Sequence, residues 1–124
     1  MGIALQEEGR LKAAAQAYGA ALRIQPDDAE AHNNLGLVYA AAGLLEKAAM
    51  HHRKALEIEP HYPEAAFNLG LAYRGMHKYL LAAEAFTIAL TLAPNLAVAK
   101  EQLEQMGIEK AKIDIVDAGP DAGD

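Results

Sequence analysis

A chain of 124 residues, 52% of them hydrophobic, is one domain of ordinary size with enough apolar surface to bury a core. Its 17 acidic against 11 basic side chains give a formal charge of −6, which argues against a nucleic-acid binder, because neutralising phosphates requires clustered Lys and Arg. The absence of cysteine excludes a disulfide framework and any Cys-based zinc or redox site, and no apolar run approaches the ~20 residues of a membrane span.

Alanine dominates and β-branched residues are scarce, a mixture that suits helices better than sheet. The chain opens on "MGIALQEEG", apolar at once and without the Ser, Thr, Asp or Asn that normally caps a helix start. It reads as the second half of a helix that stops at Gly9, with roughly one and a half turns missing upstream. A helix carrying Ala14, Tyr18 and Ala21 follows, ending before Pro26. From Asp28 to Ala42 the set Ala31, Leu35, Val38, Tyr39 and Ala42 recurs at spacings of three and four, one face of a helix that Gly43 stops. From Leu45 to Ile58, Ala48, Ala49, His52, Ala55, Leu56 and Ile58 do the same. Each Pro marks the turn into the next unit, and Asp27, Asp28 or Asn95 is placed to cap the helix beyond it.

A fixed step of 34 residues relates these elements. It carries Gly2 to Gly36 to Gly70, Ala14 to Ala48 to Ala82, Tyr18 to His52 to Phe86, and Pro26 to Pro60 to Pro94. Several coincidences in one register are the signature of a helical repeat array, with Leu35 and Leu69 in the core and the glycines and alanines at close helix contacts. The stretch 96–106 begins like another first helix, but Glu104 replaces the glycine and Gly107 ends the pattern, as expected of a solvating cap. Residues 108–118 are compatible with a continued helix or an extended strand, and the terminal "GPDAGD" reads as disordered.

At His32-x2-Leu35-Gly36-x2-Tyr39, Ala48-x3-His52, Pro60, and again at Ala66-x2-Leu69-Gly70-x2-Tyr73, Ala82-x3-Phe86, Pro94, the sequence resembles the tetratricopeptide repeat. The resemblance spans about residues 1–106 and departs from the family pattern where Trp is never present and His52 stands for a large aromatic. It implies an all-α fold: a right-handed superhelical stack of antiparallel helix pairs, an α-solenoid. The units would be a truncated first repeat (1–28), a second (29–62), a third (63–96), a capping helix (97–107) and a partly disordered tail (108–124).

The chemistry of a catalyst is thin. Serine is absent along with cysteine, no glycine-rich phosphate loop occurs, and the carboxylate pairs fall at exposed or capping places, so an enzyme is not expected. His51, His52 and His61 are the only local histidine cluster, but adjacent helical residues diverge by ~100° and no pairing completes a metal site; no metal or cofactor is expected. His52 should hold a core aromatic position and His51 should be exposed.

What remains is binding. In the family that the sequence resembles, the first helices of successive units line a concave face that holds extended peptides. The corresponding groove residues are Asn33, Asn34, Leu37, Phe67, Asn68, Leu71, Arg74 and Gln102. Asn34 and Asn68 each precede a Leu-Gly pair, where an amide offers a donor and an acceptor to a peptide unit; the alternative is that Asn only favours a solvated face. Phe67 is either an anchor for the ligand or packs under the terminal helix near Leu96 or Val98. Glu30, Glu64 and Glu101 outnumber the single groove cation Arg74, so a neutral or basic peptide is expected rather than the acidic C-termini that chaperone-binding members hold. No nucleic acid or membrane is expected as a partner, and the location is expected to be cytoplasmic. The alternative function is self-assembly, with the half-helix at the N-terminal edge covered by another copy in a homo-oligomer.

Overall fold

The structure, a computed structural model, describes the backbone of residues 2–118 and the side chains of residues 7–107. Among the described residues it is all helical: α1 (Gly2–Ile24), α2 (Ala29–Ala41), α3 (Leu45–Ile58), α4 (Pro63–Gly75), α5 (Tyr79–Leu92) and α6 (Ala97–Ala118). Each helix packs on the next along the chain, so the fold is a helical repeat solenoid rather than a bundle around one centre.

Local chemistry explains the boundaries. The Asp28 carboxylate accepts from the Ala31 N–H at 3.1 Å and caps α2, while Pro63 opens α4 where its missing N–H costs nothing. The hairpin between α2 and α3 turns at Gly43, whose φ of 80° is left-handed, and the Leu44 N–H returns to the Tyr39 carbonyl at 2.9 Å. The next hairpin repeats that bond from Lys78 to Tyr73, again at 2.9 Å, but the left-handed residue is His77, with φ 62°. Gly75 closes α4 without supplying the left-handed turn.

Alanine sets the spacing. Ala48, Ala49, Ala72 and Ala85 surround Leu69 in one cluster, Ala66, Ala89 and Ala99 form a second, and Ala82, Phe86 and Met106 a third. Small side chains let helix axes approach closely, and the buried ring of each hairpin, His52 or Phe86, fills the remaining space. A Cβ on Gly36 would stand 2.6 Å from His52 Cε1, and one on Gly70 would stand 2.5 Å from Phe86 Cε1, so each glycine is the floor on which the ring of its own hairpin rests. Leu35 and Leu69 are 4% and 6% exposed, as their repeat positions predict.

Two elements differ from the sequence reading. No turn forms at Gly9: α1 is one uninterrupted helix from Gly2 to Ile24, and a Cβ on Gly9 would meet nothing within 4 Å. The apolar and helix-favouring residues around Gly9 outweigh the ~1 kcal/mol that glycine costs inside a helix. Likewise α6 does not stop at Gly107 but continues to Ala118, so the extended alternative for 108–118 is not adopted. The expectation of disorder for 119–124 lies outside the described residues.

Candidate functional site

The first helices of the units, α2 and α4, and then α6, lie side by side, tied by polar side chains across their seams. Asn68 Nδ2 on α4 donates to Asn33 Oδ1 on α2 at 3.2 Å, and the Arg74 guanidinium on α4 donates to Gln105 Oε1 on α6 at 3.1 Å and to Gln102 Oε1. The repeat period places equivalent residues in rows across these helices: Asn34, Asn68 and Gln102 form one row, Leu37 and Leu71 with Gln105 the next, and Glu30 with Glu64 a third. The amides at 34, 68 and 102 are half-buried, Leu37 and Leu71 are 45% and 39% exposed, and the two glutamates are exposed. The face therefore offers carboxamides flanked by apolar side chains on one side and acid on the other. A row of this kind suits an extended chain, because successive amides meet successive peptide units.

Not every residue expected in the groove is available to a ligand. Asn33 is 4% exposed and both ends of its amide are engaged: Oδ1 accepts from His52 Nδ1 at 2.8 Å as well as from Asn68, and Nδ2 donates to the Tyr62 hydroxyl at 3.3 Å. It belongs to the internal wiring of the stack, because the helical turn that points Asn34 outward points its neighbour at α3. Phe67 takes the packing alternative. It is half-buried against the cluster of Ala66, Ala89 and Ala99 and that of Ala82, Phe86 and Met106, with the Phe86 ring 5.6 Å away. The Asn34 side chain, by contrast, makes no hydrogen bond with another described residue.

Sequence reasoning missed the histidine chemistry behind this face. His52 is 1% exposed; its Nδ1 must carry the proton, since Asn33 Oδ1 can only accept. Burial, with the nearby His51 charge adding to it, holds the His52 imidazole down at about 4. His51, expected to be exposed, is instead half-buried, its ring stacked 5.4 Å from both His32 and Tyr39. His32 donates through Nε2 to the Pro26 carbonyl at 3.0 Å, so in its neutral form it accepts from His51 Nδ1 at 3.1 Å. Burial first, then the charges of His32 and Lys47, lower the His51 pKa. His32 and His51 stand 19 residues apart, so local spacing gives no sign of the pair; only superposing the 34-residue units would place both rings on facing helices. Among the described residues no group of three or more His, Asp or Glu side chains could hold a metal ion, and no helix is long and apolar enough to cross a membrane.

Comparisons with known proteins agree with this architecture. Family models described as TPR repeat and tetratricopeptide repeat match residues 2–43, 29–62 and 63–96. Among solved structures, the Sgt2 TPR domain from Aspergillus fumigatus is 31% identical over 95% of this chain and 78% of its own, with a TM-score of 0.78. The first TPR of Spaghetti (RPAP3), solved bound to the HSP90 peptide SRMEEVD, has a TM-score of 0.81 at 20% identity over 89% of this chain and 87% of its own. MamA has a TM-score of 0.80 at 24% identity, over 92% of this chain and 67% of its own. No curated protein sequence matches the chain significantly. With the three repeat models laid in register over residues 2–96 and the same helical stack in the solved domains, this chain belongs to the tetratricopeptide repeat family.

Proposed function

We propose that this protein is a non-enzymatic interaction scaffold that holds an extended peptide segment of a partner on the face formed by α2, α4 and α6. The observation that carries the reading is the repeated row: Glu30, Asn34 and Leu37 on α2 recur as Glu64, Asn68 and Leu71 on α4, with both leucines left open to solvent. Exposed leucines at one repeat position, beside amides at another, give an extended chain apolar anchors and backbone partners at regular intervals. The charge of the face selects a neutral or basic ligand. Glu30, Glu64 and Glu101 are exposed, and the Arg74 guanidinium is shared between Gln102 and Gln105. A peptide as acidic as the SRMEEVD held by the first TPR of Spaghetti (RPAP3) meets repulsion here.

The test is binding of a peptide array by wild type and by Asn34→Ala and Leu71→Ala, which change a half-buried amide without a side-chain partner among the described residues and an exposed leucine. Basic peptides should bind, with each substitution weakening them about fivefold or more, the cost of one or two lost contacts of ~1 kcal/mol. Correctly folded variants that bind every array member as wild type does would remove the groove from the account.

A second reading, homo-oligomerisation through the N-terminal edge, is favoured by the exposure of α1. Ala21 of α1 is exposed, whereas Ala55 and Ala89 at the same repeat position are each 0% exposed.

A further inference from the structure

In the second and third repeats two helices fold back on each other, about Gly43 and about His77, and the fold-back seats Gly36 on His52 and Gly70 on Phe86. One period earlier the corresponding partners are Gly2 and Tyr18, with Gly9 at the turn. Because α1 is straight through Gly9, residues 2–8 point away from the segment 11–18 that they would otherwise cover. The uncovered face is measurable. Ala48 and Ala82 are 0% exposed, and His52 and Phe86 are 1% and 0% exposed, but Ala14 and Tyr18 at the same positions are only partly buried. An open crevice of about 550 Å³ remains beside α1, its α1 wall formed by Glu7, Glu8, Leu11, Lys12 and Ala15 and its other wall by apolar residues from Val38 to Leu44.

We infer that a second copy of this chain fills the crevice, by reciprocal exchange of the α1 arms, residues 2–8, across a two-fold axis next to Gly9 and Arg10. The inference deepens the self-assembly reading and does not depend on peptide binding. Two straight α1 helices laid antiparallel about that axis make, between chains, the same pairing that each later hairpin makes within one chain. The contact is isologous: the arm of each copy enters the crevice of the other. Its charges suit that arrangement. Continuing the pairing that sets Gly2 against Tyr18 places Glu8 of each copy beside Lys12 of the other, two opposite-charge pairs that flank and offset the approach of the two Arg10 side chains at the axis; Glu7, Glu8, Arg10 and Lys12 are all exposed in the single chain.

The chain has no cysteine, which makes a cross-linking test clean. The variants Gly2→Cys and Tyr18→Cys are prepared separately and together, and their mass is followed by light scattering over a range of concentrations. An exchanged dimer gives a covalent pair when the two single variants are mixed and oxidised. Neither variant does so alone, because equivalent residues lie roughly 24 Å apart along the paired helices. Gly9→Pro, which breaks the straight helix, should weaken the dimer roughly a hundredfold, while Gly9→Ala should preserve it. A monomer at every concentration overturns the inference. So does a dimer without the 2–18 link, or a link that forms inside one chain of the double variant. Asn34→Ala leaves the dimer intact, so failure of the groove reading and failure of the exchange are told apart.

Discussion

Acid should unfold this protein through His52. In the unfolded chain the imidazole takes up a proton near its ordinary value of 6.5, but in the native stack it does so only near 4, because burial and the His51 charge oppose the cation. Between those values the unfolded state binds more protons than the native state, so stability rises with pH. It is complete above about 6.5 and is lost as pH falls towards 4. The gap, at about 1.4 kcal/mol per pH unit, amounts to about 3 kcal/mol, a large share of the 5–15 kcal/mol typical of small domains. Urea unfolding followed by circular dichroism at half-unit steps from pH 7.5 to 4.5 measures the slope. His52→Phe supplies the control, since Phe86 fills the same repeat position of the next hairpin over Gly70. That variant loses the bond to Asn33, about 1 kcal/mol at pH 7, and the pH profile should flatten, leaving the smaller contribution of His51, whose lowered pKa acts in the same direction. An unchanged slope in His52→Phe would refute the assignment.

The remaining predictions concern positions that the repeat treats unequally. Gly36→Ala and Gly70→Ala should each cost ~1–3 kcal/mol in chemical denaturation, because the new Cβ meets a buried ring, whereas Gly9→Ala, with open space around it, should stabilise by ~0.5–1 kcal/mol. His77→Gly should gain up to ~1 kcal/mol by relieving the left-handed backbone, less whatever the 2.9 Å bond to the Tyr79 hydroxyl contributes. Asn33→Ala should cost ~1–3 kcal/mol by stranding His52 Nδ1 and Asn68 Nδ2, while Asn34→Ala should leave the melting temperature unchanged.

The exposure of neighbouring residues shows how far sequence pattern reaches into the candidate site. Asn33 and Asn34 are chemically identical and adjacent, and together they precede the Leu35-Gly36 pair of their own helix. A turn of 100° per residue separates them, and which one meets α3 depends on the crossing of two helices, a quantity that spacing along one helix does not contain. Leu37 and Leu71 were legible because a periodic solenoid exposes the same position in every unit. For Phe67 the sequence left two readings, anchor or packing under the terminal helix, because its surroundings depend on where α6 lands, beyond the last complete repeat.

By itself the sequence determines the repeat: the 34-residue step, the helix pairs at 29–62 and 63–96, the buried Leu35 and Leu69, and the small residues that let the helices touch. Those features are local or periodic, and period alone decides them. Only the tertiary structure decides the course of α1 through Gly9, the histidine and asparagine contacts between α2, α3 and α4, and the seat of Phe67 under α6. In each of these the outcome rests on what packs against the segment. Gly43 becomes a turn because α2 and α3 have each other to bury, and Gly9 stays in a helix with its face uncovered, at the place where a second copy completes the first repeat in the arrangement inferred above.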